Sequence, residues 1–249
     1  SVLEQIPFCQ EFYPSEQEFS NFPKYMEYID KNCQTGIMKV IPPKSYNPRK
    51  DNYIDLESRI PHPIEQWVVG NNGVYHLTLF TKEARSMTKY QKQVSKFESI
   101  TENKTFNEIE QLFWKTLKFS PPLYGSDCPG TIFDSKALWN LNDIQTLLKP
   151  GLNYEEWDGI TNPYLYFGCW KAMFGFHKED MDLSSINYMH FGKPKHWYGI
   201  PVSESEKFEA LIKNLYPEEF KRCSQYLRHK TILLNPEILV KNDIIVVKC

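Results

Sequence analysis

The triplet His177-Lys178-Glu179 carries side chains able to hold a metal ion. An imidazole and a carboxylate two residues apart on an extended chain point to the same side. Together they supply two of the three protein donors of a 2-His-1-carboxylate site, which leaves positions open on ferrous iron for oxygen chemistry. A bare His-x-Glu is a weak signal, and its bland reading is a buried histidine beside a surface glutamate. The surroundings strengthen it. An aromatic run, Tyr164-Leu165-Tyr166-Phe167-Gly168-Cys169-Trp170, precedes it, and Asp182-Leu183-Ser184-Ser185-Ile186-Asn187-Tyr188 follows. The later histidines are His190, His196 and His229, and none is suitably placed as the third donor.

The elements that must position these residues follow from capping and periodicity. Ser15-Glu16-Gln17-Glu18 is a capping box, and Phe19, Phe22, Met26 and Ile29 recur behind it at helical spacing. Pro23 inside that run kinks or restarts the helix. Residues 37–41 read as a short strand stopped by Pro42-Pro43, and 44–66 as surface loop. Trp67-Val68-Val69, a Gly-Asn-Asn-Gly turn and 74–80 read as a hairpin. Residues 82–100 are polar and helical. Thr105-Phe106-Asn107-Glu108 is a second capping box, leading into a helix with Ile109, Leu112, Phe113, Thr116 and Leu117 on one face. A shorter helix is expected over 137–148. Segments 163–170, 173–179, 184–191 and 196–200 read as strands, with a turn at 192–195. Ser203-Glu204-Ser205-Glu206 caps a helix that faces Phe208, Leu211, Ile212 and Leu215 inward. A second helix covers about 217–228, then a strand 231–234 and a turn or short helix from Asn235-Pro236. Helices followed by a run of strands indicate α+β, the strands curled into a sandwich or barrel.

Bulk properties set bounds. A chain of 249 residues suits one large domain or a core domain with a smaller partner. With 29 Lys and Arg against 31 Asp and Glu, the formal charge is −2, so no global basic field argues for direct DNA binding, and a cationic peptide fits at least as well. Sixteen Phe, 15 Tyr and 6 Trp suit a wide β-rich core or a ring-lined cleft. Six cysteines scattered without paired spacing read as a reducing compartment. No leading apolar run suggests a signal peptide and no segment is long enough to span a bilayer, so a nuclear or cytosolic address is expected.

These residues resemble the JmjN/JmjC (jumonji) histone lysine demethylases. The JmjN-like part includes Phe12-Tyr13-Pro14-Ser15, Phe19 and Lys39-Val40-Ile41-Pro42-Pro43-Lys44. The JmjC-like part includes Asn162-Pro163-Tyr164-Leu165-Tyr166-Phe167-Gly168, His177-Lys178-Glu179-Asp180-Met181-Asp182-Leu183 and Ser185-Ile186-Asn187-Tyr188. It runs on through His190-Phe191-Gly192, Pro194-Lys195, Trp197-Tyr198 and Leu227-Arg228-His229-Lys230. The similarity covers about 12–239 and fails over 242–249. It divides the chain into a JmjN-like segment (10–52), a mixed hairpin and helix linker (53–130) and a partial JmjC domain (131–249).

The resemblance implies a double-stranded β-helix, a cupin-like jelly roll, incomplete at its C-terminus and with helical JmjN and linker elements packed outside. It implies a 2-oxoglutarate-dependent dioxygenase that uses Fe(II) and O₂ to demethylate di- or trimethyl-lysine in histone tails, releasing formaldehyde in the nucleus. Its partners would be a methylated histone tail and chromatin, with neither a membrane nor sequence-specific DNA contact. His177 and Glu179 match the first two iron ligands. Tyr124, Asn187 and Lys195 match the residues that hold 2-oxoglutarate, and Phe174 and Trp197 match aromatic walls of that pocket. Gly159, Tyr164 and Tyr166 match the methyl-lysine pocket, and Asp127 a position on the peptide path. Cys223 and His229 match half of a structural zinc site. The bland alternatives are solvated surface for Lys195, plain core for Phe174 and Trp197, a two-tyrosine stripe in a sheet, a loop acid for Asp127 and a small buried residue for Cys223. Phe176 stands before His177 where close relatives usually carry Trp, and Gly175 precedes it. With the third iron ligand and two zinc ligands missing, weak iron binding and little activity are expected, and a catalytically silent methyl-lysine binder is the alternative.

Overall fold

The computed structural model describes residues 1–249 apart from 54, 55, 57, 58 and 154. Part of the expected loop 44–66 therefore lies outside the described residues. The strands are β1 (Gln10–Phe12), β2 (Met38–Val40), β3 (Arg59–Ile60), β4 (Ile64–Asn71), β5 (Val74–Thr81), β6 (Arg85–Ser86), β7 (Leu123–Pro129), β8 (Tyr164–Phe167), β9 (Tyr198–Gly199), β10 (Ile232–Leu234) and β11 (Val247–Lys248). Five of them form one antiparallel sheet in the order β10-β5-β4-β7-β8. The architecture is mixed α and β, its curled antiparallel sheet forming the half-barrel that a jelly-roll core requires.

The hairpin of β4 and β5 is set by its turn. Asn71 pairs with Val74, leaving Asn72 and Gly73 as a two-residue loop with φ of 51° and 85°. Positive φ at both positions twists the loop to match the strands, which Asn-Gly tolerates best. Both capping boxes form. Ser15 and Glu18 exchange hydrogen bonds at the start of the helix Glu16–Phe19, and Thr105 and Glu108 do so ahead of Phe106–Thr116. Pro23 restarts the first helix: Asn21 caps a new one, Phe22–Asn32, with the proline in its first turn, where its missing N–H costs nothing.

Four expected elements differ. Residues 137–148 do not form a helix, which appears only as the single turn Leu148–Gly151. Trp139 takes φ 53° so that its ring stacks on Phe19 at 4.6 Å and its Nε1–H donates to the Phe19 carbonyl at 2.7 Å. Asn140 accepts from the Asn142 amide and donates to the Asp134 carbonyl, a local alternative to helical bonding. The expected strands 173–179 and 184–191 are not ladder strands among the described residues. The first is tied to β10 by Phe176 N–H to Ile232 O and to the turn before it by Gly175 N–H to Lys230 O. The second is held by side chains instead: Tyr188 packs on Tyr46 and Phe133, and His190 Nδ1 lies 3.1 Å from the Tyr53 hydroxyl. The expected helix 217–228 is split into Pro217–Arg222 and a 3₁₀ turn, Tyr226–His229.

The largest core joins Leu3 and Ile6 to Phe208, Ile212, Ile232, Leu234 and Leu239, so the N-terminal segment packs against the last third of the chain. A buried ionic knot lies beside it. Glu110, on the helix Phe106–Thr116, accepts from Lys248 Nζ at 2.7 Å and from the Tyr198 hydroxyl at 2.7 Å, and His196 Nε2 lies 3.4 Å away. Burial opposes ionisation of Glu110, but these three contacts outweigh it and hold the carboxyl below its ordinary range. Its stabilising contribution is complete above the unfolded carboxylate value and is lost as pH falls through the lower folded one. Urea unfolding midpoints measured from neutral pH to pH ~3 should show that loss. Tyr198→Phe, which removes the charged hydrogen bond to Glu110 and the acceptor of the Trp114 indole N–H, should cost about 2 kcal/mol in the same assay at neutral pH.

Candidate active site

His177 and Glu179 do face the same way: His177 Nε2 and Glu179 Oε1 are 3.6 Å apart. Lys178 between them turns to the opposite side and pairs with Glu209 on the helix Ser205–Leu215. Each member of the pair is oriented by a neighbour. The His177 Nδ1 lies 2.8 Å from the Gly175 carbonyl, which leaves Nε2 free to point into the site. Glu179 Oε1 accepts from the Ser185 hydroxyl at 2.9 Å, and Arg228 donates to the Glu179 carbonyl and to Asp182 Oδ1 at 3.0 Å. The His177 contact, with Ser185 and the Lys230 charge behind it, holds the Glu179 carboxyl below its ordinary range against a burial that pushes it up. The carboxylate is therefore ionised at neutral pH, the form that binds a cation.

A line of rings connects this pair to β8. Phe174 lies 6.2 Å from His177, 5.5 Å from Tyr166 and 5.2 Å from Tyr124, and Tyr166 meets Tyr164 edge-on at 6.5 Å. Tyr164 and Tyr166 share one face of β8 by the strand's period of two. Gly159 closes the far end at φ +77°, where a Cβ would sit 2.5 Å from the Tyr164 ring. Asp127 reaches the same rings because β7 shifts register between Gly125 and Cys128, putting Asp127 at φ 52°. Burial, then the Asp127 charge, raises the Tyr166 hydroxyl above its ordinary value.

Lys195 is the cation of the site. Its Nζ donates to the Tyr124 hydroxyl at 3.3 Å and lies 5.3 Å from the Tyr166 ring centre and 5.8 Å from that of Trp197. Burial alone lowers its pKa, and no carboxylate among the described residues pairs with it. A half-buried ammonium whose one hydrogen-bond partner is a phenol beside aromatic walls fits an anion. The geometry thus suits a small carboxylate held by Lys195 and Tyr124 with Phe174 and Trp197 around it.

Three of the sequence-matched residues are not drawn in. Asn187 is exposed and makes no hydrogen bond among the described residues, as its segment has no ladder to orient it. Cys223 follows the helix Pro217–Arg222 and His229 packs edge-on against Tyr226 at 5.6 Å. No group of three or more His, Cys, Asp or Glu able to hold a metal occurs among the described residues. Cys223 and His229 are two of the four donors that a structural zinc takes. For iron, His177 and Glu179 are a suitable pair without a third partner. Ser185 and Lys230 were not singled out by the sequence reading. Ser185 stands six residues beyond its carboxylate, and Lys230 reaches the site only because the 3₁₀ turn Tyr226–His229 ends in a left-handed residue, φ 59°, which is Lys230 itself.

An antiparallel half-barrel with an imidazole–carboxylate pair at a ring-lined anion berth is the layout of a jumonji-type oxygenase domain. Residues 164–249 match the model of the JmjC domain, hydroxylase, and residues 10–42 that of the jmjN domain. The chain belongs to the JmjN/JmjC jumonji family. It is 38% identical over 252 residues to a protein named lysine-specific demethylase 4B of Mus musculus, which covers 96% of this chain and 23% of that protein. It is 38% identical over 242 residues to probable lysine-specific demethylase 4F of Homo sapiens (94% and 38%). With lysine-specific demethylase 4D of Rattus norvegicus it shares 39% identity over 264 residues (98% and 49%). The chain thus spans between a quarter and a half of the length of these relatives. No helix among the described residues is long and apolar enough to cross a membrane.

Proposed function

We propose that this domain serves Fe(II)- and 2-oxoglutarate-dependent oxidative demethylation of di- or trimethyl-lysine in histone tails, in the nucleus and on chromatin. The observation that carries the reading is the unpaired Lys195 ammonium, bonded to Tyr124, in the ring-lined space that also reaches His177. Lys195 and Tyr124 would hold the distal carboxylate of 2-oxoglutarate, while Phe174 and Trp197 exclude water. His177 and Glu179 would present their donors to the ferrous ion. When bound, the metal, the keto acid and O₂ supply oxidation of an N-methyl group, which leaves as formaldehyde. Tyr164, Tyr166 and Gly159 would receive the methylammonium through ring faces and polarised C–H contacts. Asp127 would face basic side chains of the tail.

A second reading is a catalytically silent jumonji domain that binds methylated tails through the ring-lined pocket of Tyr164, Tyr166 and Gly159. Product mass separates the readings when a trimethyl-lysine histone peptide is incubated with Fe(II), 2-oxoglutarate and O₂. Loss of methyl groups with formaldehyde supports the demethylase, and an added oxygen with all methyls retained points to a hydroxylase of another side chain. Binding of peptide and keto acid without turnover supports the silent binder, and failure to bind either defeats both. A polypeptide of residues 1–249 is expected to hold ferrous ion weakly and to release little formaldehyde, because two donors grip a metal far less firmly than three. Anaerobic ferrous titration checks this, with His177→Ala as the reference for no site.

A further inference from the structure

The fold brings together two cysteines that stand at opposite ends of the sequence. Residues 7–9 run parallel to β11: Lys248 N–H donates to Pro7 O at 2.8 Å, Cys9 N–H donates to Lys248 O, and Phe8 bridges Lys248. In a parallel pair the residues after the bridged positions are lateral neighbours, so Cys9 lies beside Cys249. Adjacent strands are ~4.8 Å apart, inside the ~4.4–6.8 Å Cα window that a disulfide needs. Residues paired across two strands send their side chains to the same face, so both thiols leave the strand pair on one side. Buried Cys128 and half-buried Cys169 differ: Cys128 donates to the Gly125 and Ser126 carbonyls, and Cys169 to the Leu123 carbonyl.

We infer that Cys9 and Cys249 are a redox modification site, a thiol pair set by strand register to close an intramolecular disulfide when met by a disulfide-class oxidant such as oxidised glutathione. Cys249 is partly exposed and Cys9 is 6% exposed, so the order of events is fixed by access. The Cys249 thiolate attacks the oxidant, forming a mixed disulfide and releasing one glutathione thiolate. The Cys9 thiolate then attacks the Cys249 sulfur and releases the second glutathione. Two protein thiols are oxidised, one oxidised glutathione is reduced to two thiols, and the two protein protons pass to solvent or to the leaving thiolates. Burial, and then the neighbouring Cys249, hold the Cys9 thiol well above its ordinary value. The second step is therefore the slow one and accelerates with pH. The bond would tie the N-terminal segment to a strand whose other edge pairs with Trp197, through Trp197 N–H to Cys249 O at 2.7 Å and Cys249 N–H to Trp197 O at 3.0 Å. The inference uses neither the iron pair nor the keto-acid berth and stands apart from the proposed activity.

The test is incubation of folded protein with oxidised glutathione, followed by acid quench, alkylation in denaturant and peptide mapping. The expected result is one intramolecular Cys9–Cys249 linked peptide, reversed by reductant, with Cys33, Cys128, Cys169 and Cys223 alkylated. The oxidised protein should melt higher by roughly 10 °C, because the link closes a very long loop. Cys9→Ser should stop at glutathione on Cys249, which shows the first step without the second. Three results would overturn the inference: a wild-type protein that also stops at the mixed disulfide, one that links between molecules through Cys249, or one that keeps all its thiols.

Discussion

Lys195→Met should weaken the proposed 2-oxoglutarate binding by roughly 30-fold or more while leaving the protein as stable as before or more so. The ammonium is half-buried, its pKa is lowered by that burial, and its one hydrogen-bond partner is the Tyr124 hydroxyl. In the empty site it is a cation without a counter-charge, which costs stability. Methionine fills the same length of chain with no charge to desolvate. With ligand present the balance reverses, since the distal carboxylate loses its partner inside a ring-lined pocket. Removing one member of such a buried charged pair costs about 2–5 kcal/mol, or roughly 30-fold to several thousand-fold in affinity. Titration calorimetry with 2-oxoglutarate and urea unfolding on the same samples read both effects. Affinity that survives the substitution would remove Lys195 from the berth. The pH dependence has a definite sign. Burial places the loss of the Lys195 proton below the ordinary lysine value, so affinity should decline at a lower alkaline pH than an exposed lysine would set.

Local rules made the parts of the site that depend on neighbouring residues legible. The His177 and Glu179 pair follows from a two-residue spacing, and its geometry needs no sheet: the pair converges although 173–179 makes only two backbone bonds to β10's neighbourhood. The Tyr164 and Tyr166 face follows from strand period, and both capping boxes from four-residue signatures. Long-range contacts were hidden. Gln66 sits in β4, yet its amide donates to the Met173 carbonyl at 2.7 Å and accepts from the Met173 amide at 3.0 Å, standing in for the ladder that 173–179 lacks. Trp139 left the expected helix 137–148 for a ring 120 residues earlier in the chain. The scattered cysteines showed no pairing in sequence because the register that joins Cys9 to Cys249 is made by the fold. Asn187 marks the same limit from the other side: its motif was readable, but an unpaired segment leaves its side chain in solvent.

Gly175→Ala is expected to damage both the stability of the fold and the candidate site. A Cβ at this position would lie 2.4 Å from Ile232 O, 2.7 Å from Lys230 O and 2.8 Å from Ile232 N. All three are backbone atoms, so no side chain can swing aside. Relief requires the 173–176 segment to lift off β10, which breaks Gly175 N–H to Lys230 O and Phe176 N–H to Ile232 O and uncovers Ile232, fully buried in the largest core. Overpacking and lost buried hydrogen bonds of this kind should together cost about 4 kcal/mol or more. The damage extends to the chemistry, because the Gly175 carbonyl orients the His177 imidazole and Phe174 is the preceding residue. Urea unfolding should show the stability loss. Titration of the remaining folded fraction with 2-oxoglutarate should show weakened binding even at temperatures where the variant is fully folded, as Phe174 moves with the segment. Gly168→Ala supplies the control, since its added Cβ would meet Tyr124 and Ala172 only at ordinary contact distances of 3.5 and 3.6 Å. A Gly175→Ala protein as stable as that control, with its keto-acid affinity intact, would show that β10 does not hold the segment that carries His177.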